Sequence, residues 1–376
     1  MNIIVSGGGT GGHIYPALTL IDAIKRKRGD AEFLYVGTQK GLESDIVPKA
    51  GINFTALNLE GGFERHFTLA NISRAANAIM SIKRASDIVR DFKPDAVVGT
   101  GGYVCGPILL AASLMKVPTL IQEQNAVAGV TNKILSKFVD RIAVGTRDAL
   151  KNFPPDKTTY TGNPIRAQVL AAKKSDGLKQ YGFTDDKPIV LISGGSRGAR
   201  SINDAMIGVL TTTAQKNSAQ FLHVTGKGEF DSVTRKLREA GLNVDDMPNV
   251  RVVPYLYDMP TAMAMADLAI FSAGATGLAE LTARGVPAIL VPYPFAAENH
   301  QEFNARSLVE AGAARMILNR DLMAEILSAT LDELLSAPDE LKRMAQASLS
   351  LGKPNAADEI ADIILSLTQS ATSAAN

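Results

Sequence analysis

The residues of this chain that could do chemistry stand at the ends of short apolar runs. His13 follows Gly7-Gly8-Gly9-Thr10-Gly11-Gly12, five glycines among six residues, directly after the apolar stretch Asn2–Ser6. Glycines at such a place permit positive φ and let an anion approach the main chain closely. A helix opening there adds free N–H groups and the positive end of its dipole, so the loop reads as a diphosphate cradle. An imidazole at its mouth could take a proton from a hydroxyl held beside the phosphates, because imidazole ordinarily titrates near neutrality. A histidine in a first helical turn can equally be a plain hydrogen-bonded helix residue, and the loop leaves both readings open. Pro16 falls in that first turn, where its missing N–H does no harm.

A second constellation lies near residue 275. The apolar run Leu268–Phe271 leads into Ser272-Ala273-Gly274-Ala275-Thr276-Gly277, and the helix expected next carries Glu280 near its start. The helix N-terminus at Ala275, Thr276 and Gly277 can hold a diphosphate, and Glu280 one turn in can accept two hydrogen bonds from ribose hydroxyls. Taken alone, Glu280 is also an ordinary first-turn acid complementing the dipole. The run Ala288–Val291 is followed by Pro292–Phe295 and then Glu298-Asn299-His300-Gln301, another polar cluster at a strand end. Gln122-Glu123-Gln124-Asn125 is a third. Polar groups at the C-terminal ends of strands are where open α/β sheets bind ligands. Cys105 lies in another glycine loop, Gly99–Pro107, but has no His or Asp at a motif spacing and reads as a small packed thiol.

The elements that must position these groups follow an alternating pattern. Strands are expected at Asn2–Ser6, Ala31–Gly37, Ala96–Gly99, Thr119–Gln122, Arg141–Val144, Pro188–Ser193, Leu268–Phe271 and Ala288–Val291, with helices between, as in parallel sheets covered on both faces. The second half echoes the first: Pro188–Ser193 runs into Gly194-Gly195-Ser196-Arg197-Gly198-Ala199-Arg200 and a helix. The pattern breaks around Tyr160–Arg166. The expected fold is α/β, with two doubly wound, Rossmann-like domains whose parallel sheets face an interdomain cleft. Helix is expected over 321–351 and 356–367, with a frayed tail from Thr368.

Composition narrows the function. The chain has 376 residues, 46% hydrophobic, with 39 basic and 38 acidic side chains, so no global charge calls for nucleic acid. A single cysteine suits a reducing compartment. With no charged leader and no apolar run of ~18 residues, a cytoplasmic protein is expected. Residues 65–90 stand apart: Ile72, Ala75, Ile79 and Ile82 lie at helical spacing beside Arg65, Arg74, Lys83, Arg84 and Arg90. Such a segment suits either a core-facing helix with a solvated basic side or an anionic membrane surface.

Gly7, Gly9 and Gly12 match G-x-G-x-x-G, but a dinucleotide site needs an acid at the end of the second strand, and the first nearby acid is Glu43. The glycine loops lack a P-loop lysine, and the chain has no H-E-x-x-H, C-x-x-C or D-x-D. No metal and no cofactor are expected, and diphosphate charge falls to helix dipoles, main-chain N–H groups and arginine. Two diphosphate-ready loops, a hydroxyl-activating base and a metal-free nucleotide site describe glycosyl transfer between two diphosphate-bearing substrates.

The motifs GGGTGGHIYPA, GTGGYVCGP, EQNAVAGVTNK, GNPIR, GGSRGAR, GATGLAE and NHQEFNA, in this order, resemble those of the lipid II-forming N-acetylglucosaminyltransferases of glycosyltransferase family 28. The resemblance implies a GT-B fold with an acceptor- and membrane-binding domain, 1–163, completed by 353–376, and a UDP-N-acetylglucosamine-binding domain, 164–352. It implies an inverting enzyme that moves N-acetylglucosamine to the muramoyl 4-hydroxyl of lipid I, undecaprenyl-diphospho-muramoylpentapeptide. This would occur at the cytoplasmic face of the cell membrane, with residues 65–90 as the membrane patch. By motif, His13 would be the base, and Thr10, Gly11, Gly12 and Asn125 would lie at the acceptor and donor sugar. Arg166 and Ser196 would meet the donor diphosphate, Glu280 the ribose, Gln301 the sugar hydroxyls and Leu256 the uracil. Ser272 stands where an arginine is common, Gly277 where a threonine is, and His300 where some members have glutamine. A GT-B epimerase of UDP-sugars and a non-catalytic nucleotide-sugar sensor are the rival readings.

Overall fold

The computed structural model describes residues 1–57, 70–195, 198–213 and 216–375, and for 70–79, 245 and 370–375 it describes the backbone alone. The chain divides into two compact units, Met1–Ile165 with Asn355–Asn376, and Arg166–Pro354.

The first unit is built on β1 (Asn2–Ser6), β2 (Glu32–Gly37), β3 (Asn53–Ala56), β4 (Ala96–Gly99), β5 (Thr119–Glu123), β6 (Arg141–Val144) and β7 (Thr158–Tyr160). They form one parallel sheet in the order β3-β2-β1-β4-β5-β6-β7. Because side chains alternate along a strand, Ile3 and Val5 face one layer and Ile4 the other. The first layer joins Ile14, Leu20 and Ile24 of helix Gly11–Lys27 to Ile360, Ala361 and Ile364 of the C-terminal helix Ala356–Ala375. The second holds Ile108 and Leu109 of helix Cys105–Leu114, with Ala85 and Val89 of helix Ala70–Phe92.

The C-terminal helix therefore belongs to the first unit. Its exposed ion pairs, Arg26–Asp358 at 2.9 Å and Lys27–Asp362 at 2.8 Å, contribute less than about 1 kcal/mol each. Each fully buried aliphatic side chain contributes about 1.5–3 kcal/mol, so the apolar seam holds the helix in place. Helix continues through the tail expected to fray: the apolar contacts extend to Leu367, and the half-turn continues with Thr368 Oγ1 donating to the Leu365 carbonyl at 2.8 Å. The expected helix over 321–351 is instead broken in two, Ala324–Leu335 and Pro338–Leu351, because Pro338 opens a new helix and cannot continue the old one.

The second unit repeats the plan with β8 (Ile189–Ser193), β9 (Gln220–Val224), β10 (Val250–Val253), β11 (Leu268–Phe271), β12 (Ala288–Leu290) and β13 (Ala314–Met316), all parallel in the order β10-β9-β8-β11-β12-β13. In each sheet the strand order reverses at one point, between β1 and β4 and between β8 and β11. Loops on either side of such a point diverge to opposite faces and leave a crevice for ligand. The glycine loops found in the sequence are those four loops. Among the described residues, no helix is long and apolar enough to cross a membrane.

The second core encloses a buried imidazole. His223, on β9, is fully buried; its Nε2 lies 2.9 Å from Asn203 Oδ1, and its Nδ1 has no partner. Burial pushes the imidazole down to about 4. Unfolded histidine titrates near 6.5, so between these values the unfolded chain binds the extra proton. Stability should fall as pH drops from about 6.5 to about 4, by on the order of 3 kcal/mol from this group. Denaturant unfolding at pH 7, 6 and 5 should show a steeper loss in the native protein than in His223→Gln; parallel losses would remove His223 as the cause.

Candidate active site

In the first unit, helix Gly11–Lys27 starts inside the glycine loop, two residues before His13. Its N-cap is Thr10, exposed and extended, with no side-chain cap bond, so the N–H groups of the first turn, including those of Gly11 and Gly12, open the helix. The rest of the loop is bonded to the protein. Gly8 N donates to the Gly101 carbonyl at 3.2 Å, Gly9 N to Glu43 Oε2 at 3.2 Å, and the Tyr35 hydroxyl to the Gly7 carbonyl at 2.7 Å. An anion is therefore served by the helix start at Gly11 and Gly12, and the loop as a whole is not the open cradle that its glycine content suggests.

Glu43 lies behind this loop, fully buried, and also accepts from Thr38 N at 3.0 Å and Thr38 Oγ1 at 2.7 Å. Burial pushes its carboxyl up, but the Thr38 hydroxyl and the main-chain donors outweigh that and hold it below the usual range. A side chain at Gly8, Gly37 or Gly41 would collide with it. In sequence Glu43 is only an acid in the wrong place for a dinucleotide; here it braces the loop. The signal was the set of glycines that surround it in space, which no sequence spacing displays.

His13 is half-buried, with Nδ1 2.9 Å from the Gly8 carbonyl. A carbonyl only accepts, so Nδ1 carries the proton and Nε2 is the basic nitrogen. Thr100 Oγ1 donates to the His13 carbonyl at 2.7 Å, tying the loop after β4 to the start of the helix. Asn125 is half-buried beyond β5, its N and Nδ2 donating to Glu123 Oε1 at 3.0 and 3.2 Å. Glu123 Oε2 accepts from Gly129 N at 3.0 Å and Asn132 Nδ2 at 2.9 Å, so one buried carboxylate shapes the whole turn. Cys105 is a buried thiol donating to the Ser6 and Gly101 carbonyls, and burial pushes it up to about 11, which suits packing rather than nucleophilic attack.

In the second unit, helix Ala275–Arg284 follows β11 with Gly274 as N-cap and no side-chain cap. The Thr276 hydroxyl in its first turn is buried with no partner. Glu280 is almost completely buried and takes a bidentate pair from Arg166, Nε to Oε1 at 2.7 Å and Nη2 to Oε2 at 2.9 Å. The structure thus joins two residues for which the resemblance implies separate duties. Ser272 Oγ stands beside Gly195, so the loops after β8 and β11 adjoin. Ser196 lies outside the described residues.

The other expected residues line the same strand ends. Leu256 is half-buried after β10 and packs on the second unit's core. His300 opens helix His300–Glu310, with Nδ1 2.7 Å from the Ala297 carbonyl, so its Nε2 is also left as an acceptor. Gln301 Oε1 accepts from Tyr293 N at 2.9 Å, which orients the amide nitrogen as donor. Glu298 and Asn299, both left-handed at φ 52°, lead the chain into this helix.

Comparison with known proteins agrees with this anatomy. Residues 3–144 match the glycosyltransferase family 28 N-terminal domain and residues 189–360 the C-terminal domain. The chain is 45% identical over 367 residues, 98% of its length and 99% of the relative's, to a protein of Bacillus cytotoxicus. That relative is named UDP-N-acetylglucosamine–N-acetylmuramyl-(pentapeptide) pyrophosphoryl-undecaprenol N-acetylglucosamine transferase. A Listeria monocytogenes protein of the same name is 43% identical over 98% of this chain and 99% of its own. Among solved structures, MurG of Acinetobacter baumannii superposes with a TM-score of 0.77 at 27% identity, covering 97% of this chain and 99% of that one. A UDP-GlcNAc 2-epimerase of Neisseria meningitidis gives 0.66 at 17% identity, covering 97% and 100%, which is a likeness of fold alone.

Proposed function

The chain belongs to glycosyltransferase family 28, and on that premise we propose that it transfers N-acetylglucosamine from UDP-N-acetylglucosamine to lipid I, forming lipid II. The observation that carries the reaction is the near full-length identity to transferases of that name. It also separates this reading from the epimerase, which shares only the fold.

The first unit binds the acceptor. Its sugar lies against Thr10, Gly11, Gly12 and Asn125, with the muramoyl 4-hydroxyl at His13. Nε2 takes the hydroxyl proton as the oxygen forms its bond to the anomeric carbon; the bond from that carbon to the UDP oxygen breaks, and the configuration inverts. The second unit binds the donor. UDP leaves with its new charge at the start of helix Ala275–Arg284, where main-chain N–H groups, the dipole and the Thr276 hydroxyl favour an anion. Ribose hydroxyls donate to Glu280, whose carboxylate keeps further lone pairs beyond the two used by Arg166. Arg166 holds that carboxylate in place and adds positive charge beside the diphosphate. Gln301 and His300 meet the sugar, one as donor and the other as acceptor, and Leu256 flanks the uracil.

The membrane surface is also on the first unit. The part of residues 65–90 before residue 70 lies outside the described residues. From there the helix Ala70–Phe92 leaves Met80, Lys83 and Arg84 exposed and packs on helix Cys105–Leu114. Leu114, Met115, Val130, Ile134 and Phe138 are exposed apolar residues beyond it, interleaved with Lys116, Lys133 and Lys137. Ser113 Oγ donates to the Phe138 carbonyl at 2.8 Å and draws the two segments together. This mixture of apolar and basic groups suits the anionic, cytoplasmic face of a membrane.

UDP release by the purified protein should depend on a short-chain lipid I analogue. His13→Ala should lower kcat by about 10²–10⁴-fold with UDP binding intact. Glu280→Ala should instead raise the donor KM; the opposite pattern for either variant would reverse the assignments. Ile134→Glu with Phe138→Glu should abolish sedimentation with anionic vesicles and spare turnover of the soluble analogue. Unchanged vesicle binding would move the membrane surface elsewhere.

A further inference from the structure

The loop after β4 does something to His13 that no phosphate-binding role requires. Gly101 has φ +112°, and a Cβ built on it would stand 2.8 Å from His13 Cδ2 and 2.9 Å from Nε2. The imidazole edge that carries the basic nitrogen therefore rests directly on the Gly101 backbone. The same glycine closes a ring of contacts: its carbonyl accepts from Gly8 N at 3.2 Å, and the Gly8 carbonyl faces His13 Nδ1 at 2.9 Å. Next to it, a Cβ at Gly102 would come within 2.5 Å of the Gly8 carbonyl oxygen, so only a bare backbone lets the two loops meet. Thr100, one residue earlier, is itself fixed by Gln124 Nε2, which donates to its carbonyl at 2.6 Å.

We infer that Gly101 is a positioning residue for the base: it seats the imidazole edge, and through Gly8 it fixes the tautomer that leaves Nε2 bare. The inference rests on the reading of His13 as base. It assigns the second glycine loop a duty toward the protein's own side chain. A methyl group at 101 would both push the ring from its seat and crowd the nitrogen that must meet the hydroxyl.

The direct readout is the nitrogen resonances of His13 in ¹⁵N-histidine-labelled protein, which has four histidines to assign. At pH 8 the unmodified protein should show Nδ1 protonated and Nε2 bare. The opposite tautomer would overturn the proposal, and this measurement needs no variant to fold. In Gly101→Ala, the His13 signals should move toward tautomer averaging, and kcat should fall at least tenfold with the UDP-N-acetylglucosamine KM unchanged. Gly51→Ala supplies a control for a substitution at positive φ without a collision, since Gly51 has φ +72° with nothing within 4 Å, and should keep full turnover. Full turnover and unmoved His13 signals in Gly101→Ala, alongside an inactive His13→Ala, would refute the seat while leaving the base in place. A fully active His13→Ala would refute the base reading, and with it the catalytic role given to Gly101.

Discussion

The carbonyl oxygen of Gly8 has no proton to give, and from that follows the tautomer of His13, the imidazole at the first unit's switch point. The 2.9 Å contact fixes the proton on His13 Nδ1 and leaves Nε2 as the acceptor nitrogen, the atom proposed as base. Everything around it serves to hold that carbonyl still. Gly101 takes the Gly8 N–H, Glu43 takes the Gly9 N–H, and Tyr35 donates to the Gly7 carbonyl. A loop of five glycines would otherwise have a large conformational freedom to lose. Here buried side chains from β2 and from helix Glu43–Lys49, with a main-chain carbonyl from the loop after β4, bear on successive peptides, so the flexibility that permits close approach is removed by contacts from behind.

The second unit answers a different electrostatic demand. On the proposed reading, a leaving diphosphate needs positive potential, and the uncapped start of helix Ala275–Arg284 would supply it. Next to that anion site stands Glu280, a buried carboxylate that would repel phosphate if unpaired. Arg166 cancels this with two short bonds at fixed geometry. On that reading the pair would let a ribose acceptor and an anion site stand one helical turn apart.

Much of this was legible in the sequence because parallel α/β folds announce their strand ends. The strands β1, β4, β6 and β8 are short apolar runs that stop at glycine, β11 is one that stops at Ser272-Ala273-Gly274, and the chemistry-bearing residues follow them. The strands β3 and β7 were not legible: NFTA and TTY are short, mixed in polarity and only partly buried. In β9 the buried Gln220 and His223 disguise a core strand. Among the candidate site residues, His13, Thr276, Glu280 and Gln301 were singled out from local motifs. The supports Glu43, Tyr35 and Gly101 were not, because each acts through a contact between segments distant in sequence. Local patterns disclose which groups face a ligand, whereas the contacts that orient those groups exist only once the sheet has formed.

The central claim is that His13 Nε2 accepts the proton of the attacking hydroxyl, and the most direct measurement is chemical rescue of His13→Ala. Free imidazole and substituted imidazoles of graded basicity would be added to the variant with a soluble lipid I analogue and UDP-N-acetylglucosamine. The account predicts that turnover returns with imidazole concentration and rises with the basicity of the added base, while the donor KM stays constant. Turnover that ignores added imidazole, or that responds equally to imidazolium and to salt, would contradict it.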